Sequence, residues 1–219
     1  MSAESTSSIE PHIAHTVTKL AGAEGRVVVC GSHGGRYAGL AACAAGVKAI
    51  LLNDAGRGLD DAGTEGIAIC ADNGMAAATL DHDSCRIGNA EDGYARGIVS
   101  KANRLAAALG VAPGTTAKEA AKLLADAPKP TNRPELGTEH RSVRTLGELR
   151  LVVIDSVSLV KEDEDEGALV VTGSHGGLVG GDPASAGRAN AFLFAFNDAG
   201  IGIDDAAITR LPILAERGT

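Results

Sequence analysis

The sequence predicts an α/β protein made of two repeated βαβ-type halves, with a mainly parallel sheet and helices packed on the sheet faces. Three observations support this prediction. First, one signature occurs twice: Gly-Ser-His-Gly-Gly at 31–35 and 173–177, followed by Asn-Asp-Ala-Gly at 53–56 and 197–200. Second, a short apolar run typical of a β-strand precedes each block. Third, 44% of the 219 residues are hydrophobic but 2% are aromatic. Small aliphatic side chains suit close packing of helices on a sheet.

Hydrophobic periodicity and turn residues define the elements of the first half. Apolar residues at helical spacing predict a helix over 10–20, and an Ala-rich segment that ends before Gly46 predicts another over 37–45. Short apolar runs predict four strands. These strands are expected at residues 26–30, 48–52, 66–70 and 76–80.

Two further helices and a linker are expected next. Apolar spacing predicts a helix over 91–109, and Thr116 with Glu119 forms a capping-box pattern that predicts a helix as far as residue 125. A Pro-rich stretch follows at 127–134. We therefore expect a first α/β half with a helical extension at 1–126, a linker at 127–145, and a second, shorter α/β half at 146–219.

The second half begins with an apolar run over 149–160 and an acidic stretch over 161–167. The acidic stretch lacks the glycine and the spacing of a calcium loop, and repulsion keeps such runs hydrated. It is therefore expected to be a solvated turn between strands. The second copy of the signature follows a predicted strand over 168–172, and the Asp-Asp pairs at 60–61 and 204–205 are expected to cap helices.

Charge and cysteine content exclude several classes of protein. The formal net charge of −8 argues against a nucleic-acid-binding surface. The four cysteines form no CxxC pair, which argues against a zinc ribbon and favours reduced thiols in the cytoplasm. No apolar stretch reaches membrane-spanning length, and the Ser-rich residues 1–10 are unlike a signal peptide. We expect a cytoplasmic protein with no nucleic-acid or membrane partner, which hides apolar surface in a homo-oligomer.

The repeated signature also predicts where a site lies. In open α/β sheets, ligands bind beyond the carboxyl ends of the strands, and parallel pairing brings successive loops to one edge. His33 is therefore expected beside Asp54, and His175 beside Asp198. In that arrangement each carboxylate orients an imidazole for acid–base catalysis, or the four side chains bind a divalent metal.

The glycine turns and an unrepeated segment add further candidates. Glycine lets a ligand approach backbone N–H groups that hold an anion or an oxyanion. Segment 81–86 offers a base in His82, a nucleophile in Ser84 or Cys85, and an anion clamp in Arg86. Expected catalytic residues are His33, His175, Asp54, Asp198, Ser84 and His82. Expected substrate-binding residues are Ser32, Gly34, Gly35, Asn53, Ser174, Gly176, Gly177, Asn197 and Arg86.

Simpler structural interpretations stay open for each of these groups. The glycines also suit a tight strand-to-helix turn, and the Asn-Asp pairs suit turns or helix caps. A histidine in a turn is also satisfied by a loop carbonyl, and Cys85 also suits packing against the sheet.

Together these residues favour a hydrolase that acts on an amide, cyclic amide or ester bond of a small polar or anionic substrate. If a divalent metal is bound, a metal-activated water replaces Ser84 or Cys85 as the nucleophile. The first alternative is a non-catalytic module or regulatory subunit that binds a small anion. The second is a lyase that uses the His–Asp pair as a general base.

Overall fold

The computed structural model describes residues 10–219 and contains two mainly parallel sheets with helices, which confirms the expected α/β class. Expectations about residues 1–9 lie outside the described residues. Each helix within 10–219 is too short or too polar to cross a bilayer.

The first sheet has five strands, and their spatial order follows the order along the chain. β1 to β4 pair in parallel and β5 pairs antiparallel to β4. The inner strands β3 and β4 are buried along their whole length, as expected for parallel strands that are covered on both faces. The strands are His12–Ala14 (β1), Val27–His33 (β2), Ala49–Asn53 (β3), Ala76–Leu80 (β4) and Val99–Ala102 (β5).

Helices cover both faces of this first sheet. Side chains of α1 and α2 pack on one face in a cluster that includes Val28 and Ile50. Side chains of α3 and α5 pack on the other, in a cluster that includes Val29 and Leu51. The helices are Arg36–Ala44 (α1), Glu65–Asp72 (α2), Ala90–Arg96 (α3), Arg104–Ala108 (α4) and Ala117–Leu124 (α5).

Three predictions about this half are wrong. Residues 66–70 belong to α2, because a five-residue apolar run does not distinguish a buried strand from a buried helix. Residues 10–20 contain β1 and a 3-10 turn at Val17–Lys19 instead of a helix. The helix expected over 91–109 is divided by β5, since α3 already ends at Arg96 and Gly97 follows it as the cap.

The second sheet has four strands in the order β6-β7-β8-β9. β6 and β7 form an antiparallel hairpin, whereas β7, β8 and β9 pair in parallel, as their counterparts β1, β2 and β3 do. Strand β6 begins within residues 127–145, the stretch predicted as a linker. The elements are Arg141–Leu146 (β6), Leu149–Ile154 (β7), Leu169–His175 (β8), Leu193–Asn197 (β9) and Arg210–Glu216 (α6).

Two acidic motifs differ from expectation. The 161–167 stretch forms turns, but Asp165 is fully buried and pairs with Arg141 at 2.8 Å. Burial is the largest single influence and disfavours its charge. Hydrogen bonds from Arg141 and from the backbone of Lys161, with the charges of Arg141 and Arg150, together outweigh burial and hold the pKa of Asp165 below its ordinary value. The Asp-Asp pairs at 60–61 and 204–205 adopt left-handed φ values of 52° to 59° and cap no helix.

The two halves meet where their Asn-Asp-Ala-Gly turns touch. A Cβ atom on Gly56 would lie 3.0 Å from the Cα atom of Gly200, and the reverse distance is also 3.0 Å. Both glycines have positive φ, at 65° and 74°. The two glycines occupy equivalent positions in the repeat, so the same turn of each half forms the contact. Asp204 adds ion pairs to Arg86 at 2.7 Å and to Arg96 at 3.0 Å.

Substitution of Gly56 by Ala tests this contact, and Gly167→Ala is the matched control. Gly167 also has positive φ, at 66°, but a Cβ atom on Gly167 would meet nothing within 4 Å. Gly167→Ala is expected to cost about 1 kcal/mol from backbone strain alone. Gly56→Ala adds a collision with the other half, so we expect about 1 to 2 kcal/mol more. Urea denaturation measures both, and equal losses would contradict the assignment.

Candidate functional site

A cavity of about 500 Å³ lies between the two halves, beyond the carboxyl ends of β2 and β8. Its size is in the range that accommodates a small molecule. Both halves line it with equivalent residues. These are Ser32, His33 and residues 16–18 from the first half, and Ser174, His175 and residues 156–158 from the second.

The same irregularity in β2 and β8 carries the two histidines to this edge. Pairing of β2 with β3 moves from Val29 opposite Leu51 to His33 opposite Asn53, so β2 contains extra residues. Pairing of β8 with β9 shifts in the same way between Val171 and His175. Such bulges bend a strand and redirect its side chains.

Both imidazoles are held by a glycine N–H group. The backbone N–H of Gly35 donates to Nδ1 of His33 at 3.1 Å, and that of Gly177 donates to Nδ1 of His175 at 3.1 Å. An Nδ1 atom that accepts a hydrogen bond leaves the proton of a neutral imidazole on Nε2. Each histidine therefore presents an Nε2–H donor.

Burial keeps both rings neutral. Desolvation lowers the pKa of His33, and desolvation together with the nearby His33 and Arg210 lowers the pKa of His175 to about 3. A charged imidazole in this position would lose most of its hydration. Near neutral pH both side chains are therefore hydrogen-bond donors without charge.

The expected pairing of each histidine with its own aspartate is wrong. Oδ1 of Asp54 accepts the N–H groups of Gly56 at 3.1 Å and His82 at 3.0 Å, and it lies 3.1 Å from Nδ1 of His82. Oδ1 of Asp198 accepts the N–H of Gly200 and its side chain is exposed. Each aspartate bonds to its own turn, and within residues 10–219 neither carboxylate forms a hydrogen bond or ion pair with His33 or His175.

This geometry also corrects the predicted metal ligands. The expected set was His33, Asp54, His175 and Asp198. Among residues 10–219, the set whose donor atoms lie within 4.8 Å of one another is instead Asp54, Asp81 and His82. These three residues do not line the cavity.

The glycine turns do not offer free N–H groups to a ligand. Gly34 donates to the carbonyl of Asn53 at 2.7 Å, and Gly176 to that of Asn197 at 3.1 Å. The N–H groups of Gly35 and Gly177 are used by the histidines. Protein atoms also fill the space beside these glycines, with Ala206 O 2.5 Å from a Cβ on Gly177. The expectation of a backbone oxyanion site is therefore wrong.

Asn53 and the 81–86 segment have mainly structural contacts, contrary to expectation. Asn53 is buried and accepts the N–H of Ala55, as Asn197 does from Ala199. Ser84 Oγ donates to Asp81 O and accepts from Ile98 N. Burial raises the pKa of the Cys85 thiol to about 11, so it is a poor nucleophile. Arg86 pairs with Asp92 and Asp204.

The two serines of the signature keep a role in the cavity wall. Oγ of Ser32 accepts the N–H of Val17 at 3.1 Å, and Oγ of Ser174 accepts that of Val157 at 3.0 Å. Each serine thereby ties the segment after the neighbouring strand to the signature. Because the oxygen accepts, the hydroxyl hydrogen remains a donor.

Arg210 lines the cavity and was missed from the sequence. It is 2% exposed, its Nε donates to Gly177 O at 2.8 Å, and it packs over Phe196. Burial lowers its pKa to about 10. Within residues 10–219, no carboxylate forms a salt bridge with it. Arg210 occupies the position of Gly66 in the first copy, so no residue shared by the two repeats marked it.

Glu139 is a second lining residue that the sequence did not reveal. It is partly buried, and desolvation together with the charge of Asp155 raises its pKa. Asp155 lines the same cavity and accepts the N–H of His140. Glu139 lies outside both copies of the signature, so no motif pointed to it.

The structure is thus that of an α/β protein with a cavity between two repeated halves. Comparisons of the chain with protein-family models, with curated proteins and with solved structures find no match.

Substitution of His175 by Asn tests the neutral state of that ring. The unfolded histidine gains a proton below pH 6.5, whereas the folded one gains it near pH 3. Folding stability is therefore lost as pH falls from 6.5 towards 3, with a slope of up to about 1.4 kcal/mol per pH unit. In urea denaturation, His175→Asn should remove this contribution to the pH dependence of the free energy of unfolding. His140→Asn, at an exposed site, should leave that pH dependence unchanged. Parallel curves for wild type and His175→Asn would refute the assignment.

Proposed function

We propose that the protein hydrolyses an amide, cyclic amide or ester bond of a small polar or anionic substrate in the cavity between its halves. The observation that carries this proposal is the pair of neutral imidazoles, His33 and His175, which line one cavity as Nε2–H donors. Fixed donors around a carbonyl oxygen stabilise the oxyanion that forms when water attacks the carbon.

The histidines act in this proposal as donors and not as bases. Their Nδ1 atoms already accept glycine N–H groups, so neither nitrogen is free to remove a proton from water. Their lowered pKa values also keep them from protonating a leaving group near neutral pH. Proton transfer therefore needs another residue.

Glu139 is the residue best suited to transfer the proton. Its raised pKa brings the carboxyl closer to the value at which one group both accepts and returns a proton. In the proposed reaction Glu139 takes a proton from the attacking water. It then returns that proton to the leaving nitrogen or oxygen.

The charges of the cavity support a polar substrate that carries an anionic group. Arg210 supplies a buried positive charge without a carboxylate partner in the described part of the chain, and Lys19 and Arg188 also line the cavity. Guanidinium groups bind carboxylates and phosphates well. Asp155 and Asp182 line it as well, which suits a substrate that also has hydrogen-bond donors.

A second candidate function is non-catalytic binding of a small anion. It is favoured because no His–Asp pair was found among the residues that line the cavity in the described part of the chain. The neutral imidazoles and Arg210 are sufficient to bind an anion without catalysis. The lyase alternative depended on His33 paired with Asp54, and it loses its proposed base because Asp54 pairs with His82.

We also infer a cytoplasmic location. All four cysteines are buried free thiols, which suits a reducing compartment.

Replacement of Glu139 by Gln separates the two functions. We would screen small amino-acid amides, cyclic amides and esters for carboxylate release by NMR, and measure binding of each by calorimetry. For a substrate so found, Glu139→Gln should lower kcat at least about 100-fold with little change in binding. Glu135→Gln, at an exposed position nearby that does not line the cavity, should behave as wild type.

Binding of panel compounds without any turnover would contradict hydrolysis and favour the binding module. Turnover that is insensitive to Glu139→Gln would contradict the role of Glu139 in proton transfer.

A further inference from the structure

One face of the second sheet is apolar and lacks a covering layer in the described residues; we call it the open face. Alternate residues of a strand share a face, and the register of β6 to β9 aligns them in rows. Its polar members, Ser142 and Arg144, lie on the edge strand β6. Its apolar members are Leu146, Leu149, Leu151, Val153, Leu169, Val171, Leu193 and Ala195.

These apolar side chains are unusually accessible. Val171 is 40% exposed, Leu193 is 45% exposed and Leu146 is 60% exposed. On the opposite face of the same strands, Val152 and Val170 are fully buried within a packed cluster. The second sheet is therefore covered on one face.

The first half shows what covers the equivalent face there. Val29 and Ala49 occupy the positions that correspond to Val171 and Leu193 in the repeat, and they are 1% and 0% exposed. Helices α3 and α5 pack over them. Within residues 10–219 the second half places no helix on its open face, so this face lacks a layer that its counterpart has.

We propose that the open face packs against the open face of a second copy of this chain. Aliphatic sheet faces pack on one another at a spacing of about 10 Å, as in β-sandwiches. The middle of the open face carries no charge, so a twofold arrangement places Leu and Val side chains against each other. Arg144 remains at the margin, where water keeps its charge solvated.

The size of the open face fits a reversible dimer. Four strands about 4.8 Å apart, each about six residues long at about 3.3 Å per residue, span about 380 Å² in plan. Two such faces make about 760 Å² in plan, below the about 1,000 to 1,200 Å² of stable interfaces, so the expected dimer is weak and reversible.

The net charge adds a specific expectation. Each copy carries a formal charge of −8, so two copies repel each other over a distance of about one Debye length. Added salt screens this repulsion, and a kosmotropic salt such as sulfate also strengthens apolar burial. Dimerisation is therefore expected to increase with salt.

Sedimentation velocity of the full chain, from about 1 to about 200 μM at low and high salt, tests the proposal. Wild type should shift from monomer to dimer. Leu193→Glu should weaken association at least about tenfold, because it buries a charge without a partner. Leu211→Glu is the matched control, since Leu211 is 46% exposed on α6, outside the open face, and should dimerise as wild type.

Val171→Thr provides a milder variant that keeps the β-branched shape, and it should also weaken the dimer while circular dichroism shows an unchanged fold. A wild type that stays monomeric at every concentration overturns the proposal, and leaves the open face to a different protein. A dimer that survives both Leu193→Glu and Val171→Thr overturns it as well, because the copies then associate through another surface.

Discussion

The contact between Gly56 and Gly200 sets the relation between the two halves, and the site depends on it. Because neither residue has a side chain, the two turns approach until a Cβ on either glycine would lie 3.0 Å from the other's Cα. The turns follow β3 and β9, which lie next to β2 and β8, so this contact also brings the ends of β2 and β8 to one cavity. His33 and His175 then line it from opposite halves.

The repeat is symmetric in its backbone and asymmetric in its chemistry. Both copies use the same hydrogen bonds to fix Ser and His, yet Arg210 supplies a buried charge where the first copy has Gly66. Asp54 is buried beneath His82, whereas its counterpart Asp198 is exposed. The first half is a complete layered unit, and the second contributes a sheet with one covered face.

Several features were predictable because they depend on local sequence. The repeated strands, α1 and the Thr116 cap of α5 follow from apolar runs and turn chemistry, and Thr116 Oγ1 does accept the N–H of Glu119. The location of His33 and His175 at strand ends followed from parallel connectivity. The hydrogen bonds of the Asp54 carboxylate did not follow from that connectivity, because a short side chain in a left-handed turn bonds to its own backbone first. Arg210 and Glu139 reach the cavity through tertiary packing, which no local pattern records.

The most direct test of this account is the protonation state of the two histidines, measured by long-range ¹H–¹⁵N NMR with assignment by His33→Asn and His175→Asn. We predict that both rings are neutral at about pH 7, with the proton on Nε2 and Nδ1 unprotonated, and that His175 shows no titration down to about pH 5. A proton on Nδ1 of either ring, or titration of His175 near its ordinary pKa, would contradict the assignment of these residues as neutral donors in a shared cavity.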